Sequence, residues 1–363
     1  MRFIKVDFHY VTTVAAVAAL LTVGSIVTPA QAAPPEDLAR VREQVRSLQH
    51  VAEAATERYN EANAGRSRVQ SELSGLQVTA RRQGTQLQKS AEMVDALARA
   101  AYMSGSLDPT LELLLANDPA AFLAQGSAIE QLAKSQQTVL RGWATSSLRL
   151  QQTKAKVAQR LTVSKRLAEQ MSAAKADADA NLGKAKSLLS QLSDAQRKRL
   201  AAIQIKARQQ AVAAAAVAKQ QLAASTKRPG RAPGKSPLGF IGTSRAASAV
   251  RFALSQVGKS YVAAQAGPRT YDCSGLTLAA WRQGGVGLTH YSKSQYSQTK
   301  RVPVSQIRPG DLVFYFGSGA HHVAIYVGNG KMVSASNPDD GVELIDFLGP
   351  WYRERFSGVG RVV

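Results

Sequence analysis

Tyr271-Asp272-Cys273-Ser274-Gly275-Leu276 is the stretch on which the reading of this 363-residue chain turns. Apolar residues recur at helical spacing from there through Trp281, so Cys273 falls at the first turn of a predicted helix. A thiol in that place faces unpaired backbone N–H groups and the positive end of the helix dipole, and both favour the thiolate. Cys273 is also the one cysteine of the chain, which excludes an internal disulfide framework. Asp272 reads either as the cap of the helix or as a group beside the thiolate that receives a substrate amine.

A thiolate nucleophile needs a base, and the chain holds five histidines. His9 lies in a leader-like segment and His50 in a heptad segment, which leaves His290, His321 and His322. In His322-Val323-Ala324-Ile325-Tyr326-Val327 the branched residues share one face of a strand, and His322 shares the other with Ala324 and Tyr326. His322 is therefore expected to face a cleft. Gly328-Asn329-Gly330 turns the chain back into Lys331 to Ser336. A three-residue loop pairs Val327 with Lys331 and sets Ser334 and Ser336 on the face of His322, whereas a two-residue loop sets Asn337 opposite it. Either register offers the imidazole a polar orienting partner.

Asp272-Cys273-Ser274-Gly275-Leu276, Pro309-Gly310-Asp311-Leu312-Val313-Phe314-Tyr315 and His322 through Gly330 follow one another within about Arg245 to Val363. In that order they resemble the NlpC type of papain-like bacterial cell-wall peptidases. The resemblance implies an α+β papain-like C-terminal domain with Cys273 as nucleophile, His322 as general base and Ser334, twelve positions on, as the third polar residue. It implies cleavage of peptidoglycan stem peptides after D-glutamate, and an oxyanion hole from the backbone N–H of Cys273 with help from Tyr261. It puts His290 in a region that lines the substrate groove, with a satisfied surface histidine as the alternative, and Asp272 and Ser274 are candidate substrate-binding or oxyanion residues. Two departures stand out. Serine occupies a place where the family often has His, Glu, Asn or Gln, and Tyr261-Val262-Ala263-Ala264-Gln265 stands for the frequent Tyr-Val-Trp-Gly-Gly. The rival reading is a non-catalytic wall-binding or scaffold protein with a degenerate peptidase domain. Asp311 reads as a structural turn residue. No metal or organic cofactor is implied, because no cluster of His, Cys and acidic residues has ligand spacing along the chain.

Upstream of this domain, residues 226–237 hold three Pro, two Gly and four positive charges and read as an exposed linker. Residues 38–101 carry a heptad through Leu38, Val45, Ala52, Tyr59 and onward, with Val41, Leu48, Ala55 and Ala62 in the second seam position. The pattern stops near Ser104-Gly105-Ser106, and Pro109 and Pro119 forbid a continuous helix. A second helical stretch from about Ala120 to Ala224 completes an expected all-α coiled-coil hairpin over 36–225, broken at about 104–120. Tyr102-Met103-Ser104-Gly105 followed by Leu111 to Leu115 and Ala121-Phe122-Leu123 is similar to the break in the coiled-coil halves of exported wall hydrolases and their activators. Some of those dock on an FtsE/FtsX-type membrane complex, which implies such a partner and a hairpin that recruits or restrains the peptidase. The charge of the hairpin reads as a solvated surface or as attraction to an anionic envelope polymer.

The N-terminus has Arg2 and Lys5, a mostly apolar run from Val11 to Val27, and Ala30-Gln31-Ala32. This is the grammar of a signal peptide over 1–32, so the mature chain is expected outside the cell, at the wall or the extracellular face of the membrane. Lys plus Arg number 46 against 25 Asp plus Glu, a net charge of +21. For an exported chain that excess points away from nucleic acid and toward anionic envelope material. Most Phe, Trp and Tyr residues lie beyond residue 237, so the compact core belongs to the C-terminal third.

Overall fold

The computed structural model describes residues 35–103, 119–226, 244–317 and 321–363. The expected signal peptide, nearly all of the break at 104–120 and all but the first residue of the linker lie outside the described residues.

Helix α1 spans Pro35–Met103 and α2 spans Pro119–Ser190. They run antiparallel, since Arg58 pairs with Asp177 at 3.2 Å and Glu72 with Arg160 at 2.9 Å. Seam residues Leu38, Val45, Ala52, Ala55, Ala62, Val69 and Leu73 are buried, as a heptad requires. At 1.5 Å per residue α1 is about 100 Å long.

The second stretch is not one helix. It breaks at 191–193, and α3 spans Asp194–Thr226. A capping box makes the new start: Gln196 Oε1 accepts from the Ser193 backbone N–H at 2.9 Å, and Ser193 Oγ accepts from the Gln196 N–H at 3.3 Å. Leu38, Leu192 and Leu200 pack together at this corner. The third helix leaves the hairpin and lies on the C-terminal domain, where Ala215 and Leu222 join the core and Arg208 donates to the Gly258 carbonyl.

The C-terminal domain begins with α4, Ser244–Gln256, and a short parallel pair, β1 at Ser260–Tyr261 and β2 at Thr270–Tyr271. Helix α5 spans Cys273–Gln283 and α6 spans Ser292–Gln298. The sheet then forms from β3 (Lys300–Val302), β4 (Leu312–Tyr315), β5 (His322–Gly328), β6 (Lys331–Asn337), β7 (Gly341–Asp346) and β8 (Phe356–Arg361). Its order is β3-β8-β4-β5-β6-β7, with every pairing antiparallel. One face carries α4 and α5, with Val250, Leu276 and Ala280 against Val323, Ile325 and Val333. The other buries Val313, Tyr315, Ala324, Met332 and Phe347. Each such large apolar side chain contributes roughly 1.5–3 kcal/mol. This is the expected α+β papain-like domain, with the cysteine helix laid across the histidine strand. Asp311 is the turn residue expected of it, bonded to Arg361 at 2.8 and 2.7 Å and to the Arg308 N–H.

The β5–β6 hairpin combines both registers considered from the sequence. Gly328 pairs with Lys331 across the two-residue turn Asn329-Gly330, both at positive φ, and then a bulge at Val327 restores Tyr326 opposite Met332. Beyond the bulge the register is that of the three-residue loop, so Ser334 and not Asn337 reaches His322. No helix among the described residues is long and apolar enough to cross a membrane.

Candidate active site

Two elements of the C-terminal domain bring the sequence-predicted pair together. Cys273 opens α5, capped by Asp272, whose carboxylate accepts from the Gly275 N–H at 2.7 Å. The first turn of α5 packs tightly on the loop after β1: a Cβ on Gly275 would stand 2.2 Å from the Gln265 carbonyl oxygen. In that loop Ala264 takes φ 57°, a left-handed conformation that costs a non-glycine residue about 1 kcal/mol. The backbone thus keeps its course although alanine stands where glycine is frequent.

His322 opens β5, and its Nε2 lies 2.9 Å from Ser334 Oγ, which in turn is 3.1 Å from Ser336 Oγ. Tyr352 stacks on the imidazole at 5.4 Å and Tyr315 tilts against it at 5.7 Å. With Nε2 committed to Ser334, Nδ1 is the nitrogen left for chemistry. Asn337 instead bonds Asp340.

The cleft is not open. A polar stripe of α1, Gln49, Glu53, Thr56, Glu57 and Asn60, is buried against the domain, while Ala52 and Ala55 of the same turns face α2 through Ala178 and Leu182. Glu53 Oε1 meets His322 Nδ1 at 2.5 Å. Glu57 Oε1 accepts from Ser274 Oγ at 2.7 Å and stands 3.7 Å from Cys273 Sγ, and its Oε2 accepts from the Ser292 N–H. Asn60 donates to Asp272 at 3.1 Å, and His290 Nε2 lies 2.8 Å from the same carboxylate. His50, set aside in the sequence because it lies in the heptad segment, belongs here: its Nε2 is 2.9 Å from His321 Nε2 and its ring lies against Phe316. The heptad reading of α1 names only its seam, and this stripe lies off the seam, against the domain. Hydropathy hides it, since a polar residue buried against polar partners scores as an exposed one. The signal that could have found it is the run Gln49, Glu53, Glu57 and Asn60 at helical spacing, all on one side of the seam.

Burial changes the charge states. Cys273 is 1% exposed, and its thiol is pushed well above its ordinary value by burial first and then by the Glu57, Glu53 and Asp272 carboxylates. The thiolate expected from the helix N-terminus is therefore not the state of this closed form, because burial first, and the acids beside the sulfur second, outweigh the dipole. Burial raises the Glu53 carboxyl to about 7 and lowers His322 to about 4. One arrangement satisfies both: a protonated Glu53 donates to Nδ1, and the Nε2–H of the neutral ring donates to Ser334. Glu57 is raised by burial and by Asp272.

The remaining expected site residues are accounted for by their contacts. Ser274 is held by Glu57, Asp272 caps α5 and pairs with His290, and Tyr261 is buried with a hydroxyl that has no hydrogen-bond partner among the described residues. A cavity of about 470 Å³ stays open on the far side of His322, lined by Arg46, Lys331, Glu343 and Tyr352 among others. Without Glu53 and Glu57 in place, the thiol and Nδ1 would be free to exchange a proton and present a nucleophile to a bound carbonyl.

Residues 258–361 match the NlpC/P60 family. The probable endopeptidase p60 of Listeria welshimeri is 43% identical over 111 residues, covering 30% of this chain and 21% of that protein. The peptidoglycan endopeptidase RipA of Mycobacterium tuberculosis is 39% identical over 108 residues, covering 26% of this chain and 22% of its own length. A solved NlpC/P60 family protein from Bacillus cereus shares 28% identity over 34% of this chain and 41% of that one, with a TM-score of 0.31. The chain thus spans about a fifth of the length of the curated relatives it matches.

Proposed function

We propose, from an NlpC/P60 domain at the C-terminus of this chain, that the protein is an exported peptidoglycan endopeptidase held shut by its own first helix. The observation that carries the reading is the way Glu53 and Glu57 occupy the two atoms a Cys–His peptidase must keep free, His322 Nδ1 and Cys273 Sγ. The names of the relatives p60 and RipA supply the endopeptidase class, and that of RipA supplies the polymer.

When α1 withdraws, water and substrate replace the two carboxyls, and the thiol proton passes to Nδ1. The thiolate attacks the carbonyl carbon through which D-glutamate is joined to the next residue of a stem peptide. The developing oxyanion is received by the Cys273 N–H and the unpartnered Tyr261 hydroxyl. The imidazolium then gives its proton to the leaving amine, and a water activated by Nδ1 hydrolyses the thioester. Ser274 Oγ and the Ser292 N–H, which hold the Glu57 carboxylate in the closed form, are placed to receive an oxygen of the acidic stem peptide, with Asp272 and His290 beside them.

Ser334 is the orienting residue in this scheme and carries no charge to steady the imidazolium. In a chain opened as described in the Discussion, Ser334→Ala is expected to lower kcat about tenfold with little change in KM. Unchanged turnover would assign the orientation of the ring elsewhere.

At the far end of α1, Tyr102 and Met103 are 88% and 83% exposed among the described residues. A membrane complex of the FtsE/FtsX type is the partner that suits a recruiting tip, and export through the leader at 1–32 places the chain with its polymer. The test of the function as a whole is digestion of purified peptidoglycan with product masses, argued below.

A further inference from the structure

The closed form gathers a donor set that the linear sequence scatters. Glu53 comes from α1, Cys273 from α5 and His322 from β5, and one ligand atom of each lies within 4.8 Å of the other two. All three side chains are buried, with Glu53 5%, Cys273 1% and His322 1% exposed. Carboxylate, thiolate and imidazole are the donors that zinc takes in tetrahedral sites. Glu57 Oε1 lies 3.7 Å from the sulfur but outside this set of three, so a water would complete the tetrahedron. No ligand spacing along the chain announces this cluster, because its members lie on three separate elements.

A second observation points the same way. Glu53, Glu57 and Asp272 are buried together, and among the described residues none of these three is paired with a lysine or arginine. Without an ion Glu53 keeps its proton, and the one basic group that faces Asp272 among the described residues is His290; a divalent ion would displace that proton and supply charge to the cluster. The surroundings support the donors. Ser334 holds Nε2 and so turns Nδ1 inward, and Ser274 and the Ser292 N–H fix Glu57. With metal–ligand bonds of about 2.0–2.3 Å the edges of a tetrahedron are near 3.5 Å. Glu53 must move about 1 Å from Nδ1 to reach such an edge.

We propose that the closed form binds one zinc ion between Glu53, Cys273 and His322, so that metal binding and docking of α1 reinforce each other. The inference rests on the closed-arm reading above. Binding releases the thiol proton and the Glu53 proton to solvent, leaving thiolate and carboxylate on the metal. By linkage, the ion tightens the arm by the factor that the arm tightens the ion.

The test uses the full chain, stripped with a chelator and titrated with zinc by calorimetry and with cobalt(II) by absorption. The expected result is one ion per chain and a thiolate-to-cobalt charge-transfer band. Cys273→Ala should erase the band, and Glu53→Gln should weaken zinc binding about tenfold or more. Glu53→Cys should keep the ion and roughly double the band through a second thiolate. Glu72→Ala, which breaks only the exposed pair with Arg160, should leave both readouts unchanged. Absence of the band, equal affinity in Glu53→Gln, or a Glu53→Cys band no stronger than the parent's would overturn the proposal. Alkylation of Cys273 in metal-free buffer separates the two readings. Equal rates for the chain and the double variant of the Discussion would sink the closed arm, whereas unequal rates without metal binding would sink the zinc site alone.

Discussion

Glu53→Ala/Glu57→Ala in the full chain is expected to raise the rate at which iodoacetamide alkylates Cys273 by on the order of 10²- to 10³-fold at neutral pH. Two effects add. The substitution removes the acceptors of Ser274, Ser292 and Cys273 and the partner of His322, and each bond to a buried carboxyl is worth about 1.5–3 kcal/mol of docking. It also removes the acids that, after burial itself, hold the thiol in its unreactive protonated form. Glu72→Ala, which breaks only the exposed pair with Arg160, should change the rate by no more than about twofold. A double variant alkylated as slowly as the parent would mean that α1 does not govern access to the sulfur.

The second expectation concerns the chemistry that access permits. In the opened variant, purified peptidoglycan should release stem-peptide fragments whose masses place the new terminus after D-glutamate. Adding Cys273→Ala should cut that release by on the order of 10³-fold or more, His322→Ala should do nearly the same, and the two together should cost little beyond either alone. Groups that act as one unit in proton transfer and attack fail together. Rapid alkylation of an opened chain that releases no fragment would instead favour the wall-binding protein with a degenerate domain. Fragments with a different terminus would keep the dyad and move the bond.

What could be read from the sequence was whatever short range decides. Cys273 at a helix start, His322 on the face of Ala324 and Tyr326, and Asp272 as a cap depend on neighbours within a few residues. The partner of His322 needed one step more. Counting along the hairpin left Ser334 and Asn337 open, and a bulge at Val327 decides between them. The break before α3 was legible in Ser193-x-x-Gln196, yet helical composition on both sides masks it. The occupation of the cleft by Glu53 and Glu57 was not legible, because it joins residues more than two hundred positions apart. A helix that serves two partners at once, alanines to α2 and acids to the C-terminal domain, shows one heptad and conceals the other face.

The corner where Leu38 packs on Leu192 and Leu200 gives the long helix a fulcrum. From there Glu57 is about 28 Å along the rod and Met103 about 98 Å. A sideways displacement at Met103 would therefore be reduced to roughly a third at Glu57, with force multiplied in the same ratio. On the proposed closed-arm reading, such a lever would be unlatched by mechanical work delivered far from the cleft it covers.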